Sequence, residues 1–133
     1  MRIKIQLSSA VVLLIDYVKA LALKEQLILS NGEAVDRAFE ALSDDELAAL
    51  DFAALNAAEP TLLKAFVRSP LPDDTSYITT LNLSTESLLK LQQCQIAVKK
   101  QLSLRRVKKS FAIKLVLIAY LLRKKGALSD CLR

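Results

Sequence analysis

Residues 2–8, Arg2-Ile3-Lys4-Ile5-Gln6-Leu7-Ser8, alternate polar and apolar side chains with a period of two. That is the pattern of a strand buried on one face, with Ile3, Ile5 and Leu7 turned inward. The period then becomes helical. Ser8 or Ser9 can accept from the free amides of a following helix, and Val11, Leu14, Ile15, Val18 and Leu21 fall on one stripe of it. A second helix is predicted to open at Ser30, where Glu33 three residues later completes a capping box ahead of Ala34, Val35, Ala38, Phe39 and Leu42.

The same order of signals returns later in the chain, so an internal repeat is the first organising hypothesis. Ile78-Thr79-Thr80-Leu81-Asn82-Leu83-Ser84 alternates like residues 2–8, and Leu7-Ser8 aligns with Leu83-Ser84. Ser84 is the matching cap, and Leu88, Leu91, Cys94 and Val98 form the matching stripe. Lys24-Glu25-Gln26-Leu27-Ile28-Leu29 lines up with Lys99-Lys100-Gln101-Leu102-Ser103-Leu104, the register slipping by one residue on the way. The last helix carries Val107, Phe111, Leu115, Ile118 and Leu122, with Ala112, Val116 and Ala119 widening the stripe until the helix is apolar on nearly all sides, as suits a core element.

Between the copies, Ser43-Asp44-Asp45-Glu46 is a further cap signal opening one alanine- and leucine-rich helix to about residue 58. Pro60 is expected to end it, residues 61–67 to add a turn or two, and residues 69–74 to form an extended connector. The tail after Arg123 is expected to fray. These signals divide the chain into a first strand-helix-helix motif (1–42), an acidic helical linker (43–76), a second motif (77–125) and a C-terminal tail (126–133).

Charge sharpens this division. The three stretches 1–42, 43–76 and 77–133 carry five, two and twelve basic residues against five, seven and two acidic ones. A concentrated positive field in the last stretch suits a polyanionic partner, through phosphate attraction and counterion release. Histidine is absent and the two cysteines, Cys94 and Cys131, are distant in sequence, so neither a zinc site nor a disulfide framework is expected. The composition is that of a reduced, cytoplasmic protein with inert thiols. The apolar runs at 10–15 and 115–122 are too short for a signal sequence or for the roughly 20 residues that cross a bilayer, so no membrane partner is expected.

Two strand-helix-turn-helix copies over about 90 residues resemble the ribbon-helix-helix family of DNA-binding proteins, of the Arc and MetJ repressor type. The resemblance implies a mainly α fold with a two-stranded antiparallel ribbon, both motifs lying in one chain as a pseudo-dimer with internal two-fold symmetry. It implies sequence-specific binding of double-stranded DNA, with the ribbon in the major groove. Base-contacting residues would be those on the outer strand face, Arg2, Lys4, Gln6, Ile78, Thr80 and Asn82. Arginine and lysine suit guanine acceptors, glutamine and asparagine suit adenine, and an isoleucine suits a thymine methyl. Phosphate contacts would come from the start of each second helix, at Ser30 and Asn31 and at Arg105, Arg106, Lys108 and Lys109. Both copies lack the glycine common in the family's inter-helix turn, and Gly32 falls late. Because the two strands differ, the target is expected to be asymmetric. Fused pairs of this kind are similar to accessory proteins of plasmid or T-DNA transfer, a role that stands beside transcriptional regulation and would bring other DNA-processing proteins as partners.

Without histidine and with two glycines, the usual nucleophilic and phosphate-loop motifs are absent, so no enzyme activity, cofactor or small-molecule substrate is expected. The alternative is a helical protein-interaction module, such as an antitoxin or adaptor, whose apolar helices dock on a protein.

Overall fold

The alternating segments form β1 (Arg2–Ser8) and β2 (Ser76–Asn82), which pair antiparallel as a two-stranded sheet. The computed structural model describes residues 1–66 and 76–133, so the expected connector at 69–74 lies outside the described residues. The helices are α1 (Ser9–Lys24), α2 (Asn31–Glu40), α3 (Asp44–Ala49), α4 (Phe52–Phe66), α5 (Thr85–Gln101) and α6 (Lys109–Lys124), followed by a short 3-10 helix, Leu128–Cys131. The fold is thus mainly helical with one antiparallel ribbon.

Local chemistry starts most of these helices where the sequence places them. Ser8 caps α1 by accepting from Val11 N–H, and Ser84 caps α5 by accepting from Ser87 N–H. Ser30 with Glu33, and Ser43 with Glu46, form full capping boxes at α2 and α3. Each box satisfies two amides that a helix start leaves without partners. The interior of α1 is Val11, Leu14, Ile15, Val18 and Ala22, with Leu21 only half-buried. In α5 it is Ser87, Leu91, Cys94 and Val98, with Leu88 half-buried.

α6 is the central element. Every residue from Leu115 to Leu122 is buried, together with Ala112 and Ile113, and the helix packs against α1, α2, α4, α5 and β1. Each fully buried leucine or isoleucine there contributes about 2 kcal/mol. Val107 lies before the helix and is half-buried, as is Phe111.

Three expectations are corrected. The helix of residues 43–58 is two helices, because Leu50 is extended and bridges Leu132, splitting α3 from α4. Pro60 sits inside α4 instead of ending it. Pro60 and Asn56, whose carbonyl loses its donor, both lie on the exposed side, while Leu55, Leu62 and Leu63 hold the other side in the core. An ion pair between Lys114 and Glu59 at 2.7 Å ties α4 to α6 beside the proline. Finally, the tail does not fray: Leu128 and Cys131 are buried, and Asp51 N–H and Arg133 N–H donate to the carbonyls of Cys131 and Ala49.

The turns after α1 and α5 also correct the sequence alignment. Gln26 (φ 64°) and Ser103 (φ 52°) adopt the left-handed conformation in which glycine was expected. Leu27 N–H then reaches back to Ala22 O, and Leu104 N–H to Lys99 O, at 3.0 and 3.1 Å. The structural match is therefore Gln26 with Ser103, two residues away from the Gln26–Gln101 match suggested by residue identity.

Candidate nucleic-acid interface

Strand alternation fixes which side chains leave the core, and strand pairing fixes their order. The register opposes Arg2 to Asn82, Lys4 to Thr80, Gln6 to Ile78 and Ser8 to Ser76. Successive side chains of a strand point to opposite faces. With Ile5, Leu7 and Leu81 buried beneath, the residues Arg2, Lys4, Gln6, Ile78, Thr80 and Asn82 are all exposed. All six residues expected to read bases are brought onto one surface. One end carries Arg2 beside Asn82, the centre Lys4 beside Thr80, and the other end Gln6 beside Ile78, which is 70% exposed.

Ser76 belongs to this surface and was missed in the sequence, although extending the period of two backwards from Ile78 would have reached it. Its hydroxyl accepts from Gln6 Nε2 at 2.7 Å, leaving the Gln6 carbonyl oxygen free to accept.

The two helix starts that flank the ribbon differ. On the β1 side, Lys4 and Gln6 line a groove of ≈ 440 Å³ with Gln95, Arg106, Lys108 and Lys109. Gln95 Nε2 donates to Val107 O at 2.9 Å and pins the turn before α6. Arg105, Arg106, Lys108 and Lys109 are exposed, and none pairs with a carboxylate among the described residues. α6 begins at Lys108 without a side-chain cap.

On the β2 side lies the start of α2. Gly32 is so close to this strand that a Cβ would stand 2.4 Å from Asn82 O, which explains why glycine occupies a helix's first turn. Asn31 lies beside Tyr77, Ile78 and Thr79 along a smaller cavity of ≈ 260 Å³ whose other lining residues are Leu7, Val12 and Ile15. Ser30 is exposed, but its N–H donates to Glu33 Oε1 at 3.0 Å. That backbone bond, with the Ser30 hydroxyl, holds the Glu33 carboxyl below the usual carboxylate range. Asp36 on the same helix accepts from Ser84 N–H at 3.0 Å and joins α2 to the cap of α5.

The expected phosphate-contacting residues therefore lie in two places: Asn31 beside β2 with Ser30 next to it in the chain, and Arg106, Lys108 and Lys109 beside β1 with Arg105 exposed just before them. This is a surface of polar donors and acceptors about one ribbon wide, with cations concentrated along one edge. Comparison of the chain with protein-family models, with curated proteins and with solved structures finds no match.

Proposed function

We propose that the chain is a sequence-specific binder of double-stranded DNA of ribbon-helix-helix type, with both motifs in one chain and the ribbon entering the major groove. The observation that carries this is the paired ribbon presenting Arg2, Lys4, Gln6, Thr80 and Asn82 outward on one face. A major groove about 12 Å wide admits a two-stranded ribbon and distinguishes all four base pairs.

Internal two-fold symmetry is supported by several coincidences. Lys4 precedes its cap Ser8 by as many residues as Thr80 precedes Ser84, and these two residues oppose each other, so a two-fold axis relating the motifs would pass between them, one pair from the middle of the ladder. Ala34, Val35, Ala38, Phe39 and Leu42 of the first copy match Ala112, Ile113, Val116, Leu117 and Tyr120 of the second, all buried. A monomer with this pseudo-symmetry needs no second chain to complete its ribbon. In a reducing cytoplasm it would serve as a transcriptional regulator or as an accessory protein of plasmid or T-DNA transfer.

Selection of duplexes from a random library tests the proposal. One asymmetric sequence should be enriched, and Arg2→Ala, Lys4→Ala or Asn82→Ala should each cost about 1–3 kcal/mol on it. Failure to enrich any sequence, with weak and salt-independent binding to all duplexes, would contradict it.

One observation favours a protein partner as a second reading. Leu23, Leu27 and Ile28 are exposed together around the turn after α1, Ile28 by 88%. A pull-down retained by the Arg2/Lys4/Asn82 triple alanine variant and lost on Ile28→Glu would support that reading.

A further inference from the structure

We infer that the protein grips the phosphate backbone of duplex DNA from one side only, through the groove between β1 and the start of α6. The inference rests on the DNA-binding proposal and adds to it an orientation. A symmetric ribbon pair would hold phosphates equally at both ends; this chain has dismantled one of the two holds.

The first ground is the composition of the two structurally matching turns. With Gln26 matched to Ser103, the residues that follow are Leu27, Ile28 and Leu29 in one turn and Leu104, Arg105 and Arg106 in the other. Leu23 likewise matches Lys100. At these four matched positions the chain carries no cation around the turn after α1 and three around the turn after α5, with Lys24 exposed beside Leu23 against Gln101 in the other copy.

The second ground is what each following helix does with its own start. At α2 the chain supplies its own anion, since Glu33 takes the N–H of Ser30. A carboxylate there repels an incoming phosphate and occupies a donor that could have bound it. At α6 the cap is Lys108 and the first helical residue Lys109, with no acidic residue in the first turn.

The third ground is shape. The basic side is a groove open to both the ribbon face and the turn, so Lys4 on the ribbon and Arg106, Lys108 and Lys109 behind it face one space of ≈ 440 Å³. A nucleic-acid strand whose bases meet Lys4 and Gln6 would have its phosphates carried past those cations. On the opposite side the cavity at Asn31 is lined mainly by apolar residues.

Two double variants that change net charge equally separate a local grip from a global field. Arg106→Gln/Lys109→Gln and Leu23→Glu/Ile28→Glu each lower the charge by two, and all four positions are exposed. Binding of each to a mixed-sequence duplex of about 25 base pairs is measured by fluorescence anisotropy across a salt series, with circular dichroism to confirm folding. The basic-side variant should lose tenfold or more in affinity and flatten the log–log salt slope by about 2 units, at roughly 0.9 for each phosphate that is no longer neutralised. The apolar-side variant should stay within twofold of the parent with an unchanged slope. Equal losses from the two variants, or no loss from the basic-side variant, would overturn the one-sided grip while leaving DNA binding standing. If the parent chain itself binds no duplex at any salt, the DNA reading falls, and the one-sided grip falls with it.

Discussion

Gln26 and Ser103 each hold a left-handed backbone that L side chains enter at a cost of roughly 1–2 kcal/mol. Replacing either by glycine removes that cost but adds unfolded-chain entropy, so Gln26→Gly and Ser103→Gly should each raise stability by up to about 1 kcal/mol in urea denaturation. A loss of stability would mean that these side chains make interactions worth more than the strain. Gly32 is the converse case. A Cβ there would clash with the backbone O and N of Asn82, so Gly32→Ala must push α2 away from the ribbon and should destabilise by about 1–3 kcal/mol. Burial pushes the Cys94 thiol up to about 12, so the native protein at pH 8 should leave Cys94 unmodified by thiol reagents, as mass spectrometry can check.

At the scale of elements, caps govern the acid response. Glu33 and Glu46 are both held below the usual carboxylate range, first by the backbone N–H of Ser30 and Ser43 respectively. Their ionised forms therefore stabilise the fold above the unfolded glutamate value of about 4.3, and that contribution is lost as pH falls through the lower folded values. Melting temperature measured against pH should drop below about pH 4, and the drop should shrink in Glu33→Gln/Glu46→Gln. An equal acid response in that variant would place the linkage elsewhere. The other end of α2 is capped across the molecule, where Lys90 Nζ donates to Phe39 O and Leu42 O at 3.1 and 2.8 Å and Arg123 to Ala41 O at 2.6 Å. Lys90 lies six residues after the cap Ser84, as the buried Leu14 lies six after Ser8, so the same helical position packs in α1 and caps a neighbouring helix in α5.

Across the whole molecule, what was legible in the sequence was local. The strand of residues 2–8, its partner near residue 80 and the serine caps of α1, α2, α3 and α5 each depend on a few neighbouring side chains, and the outer face of the ribbon follows from its period of two. What was not legible depends on distant partners. Pro60 reads as a stop until the core holds Leu55 and Leu62 on either side of it. The tail reads as loose until Leu132 bridges Leu50. The two left-handed turns carry no glycine to announce them, so residue identity misaligned them. The cationic residues were visible as charge, but only the fold gathers Arg106, Lys108 and Lys109 beside Lys4 and sets Ser30 and Asn31 on the opposite flank.

The most direct test of the central claim is an NMR titration of the isotope-labelled chain with the duplex enriched by selection. Amide shift changes should be largest along residues 2–8 and 76–82 and at the start of α6, saturating at one chain per site. Saturating changes confined to the turn after α1 or to the helices distant from the ribbon would contradict it.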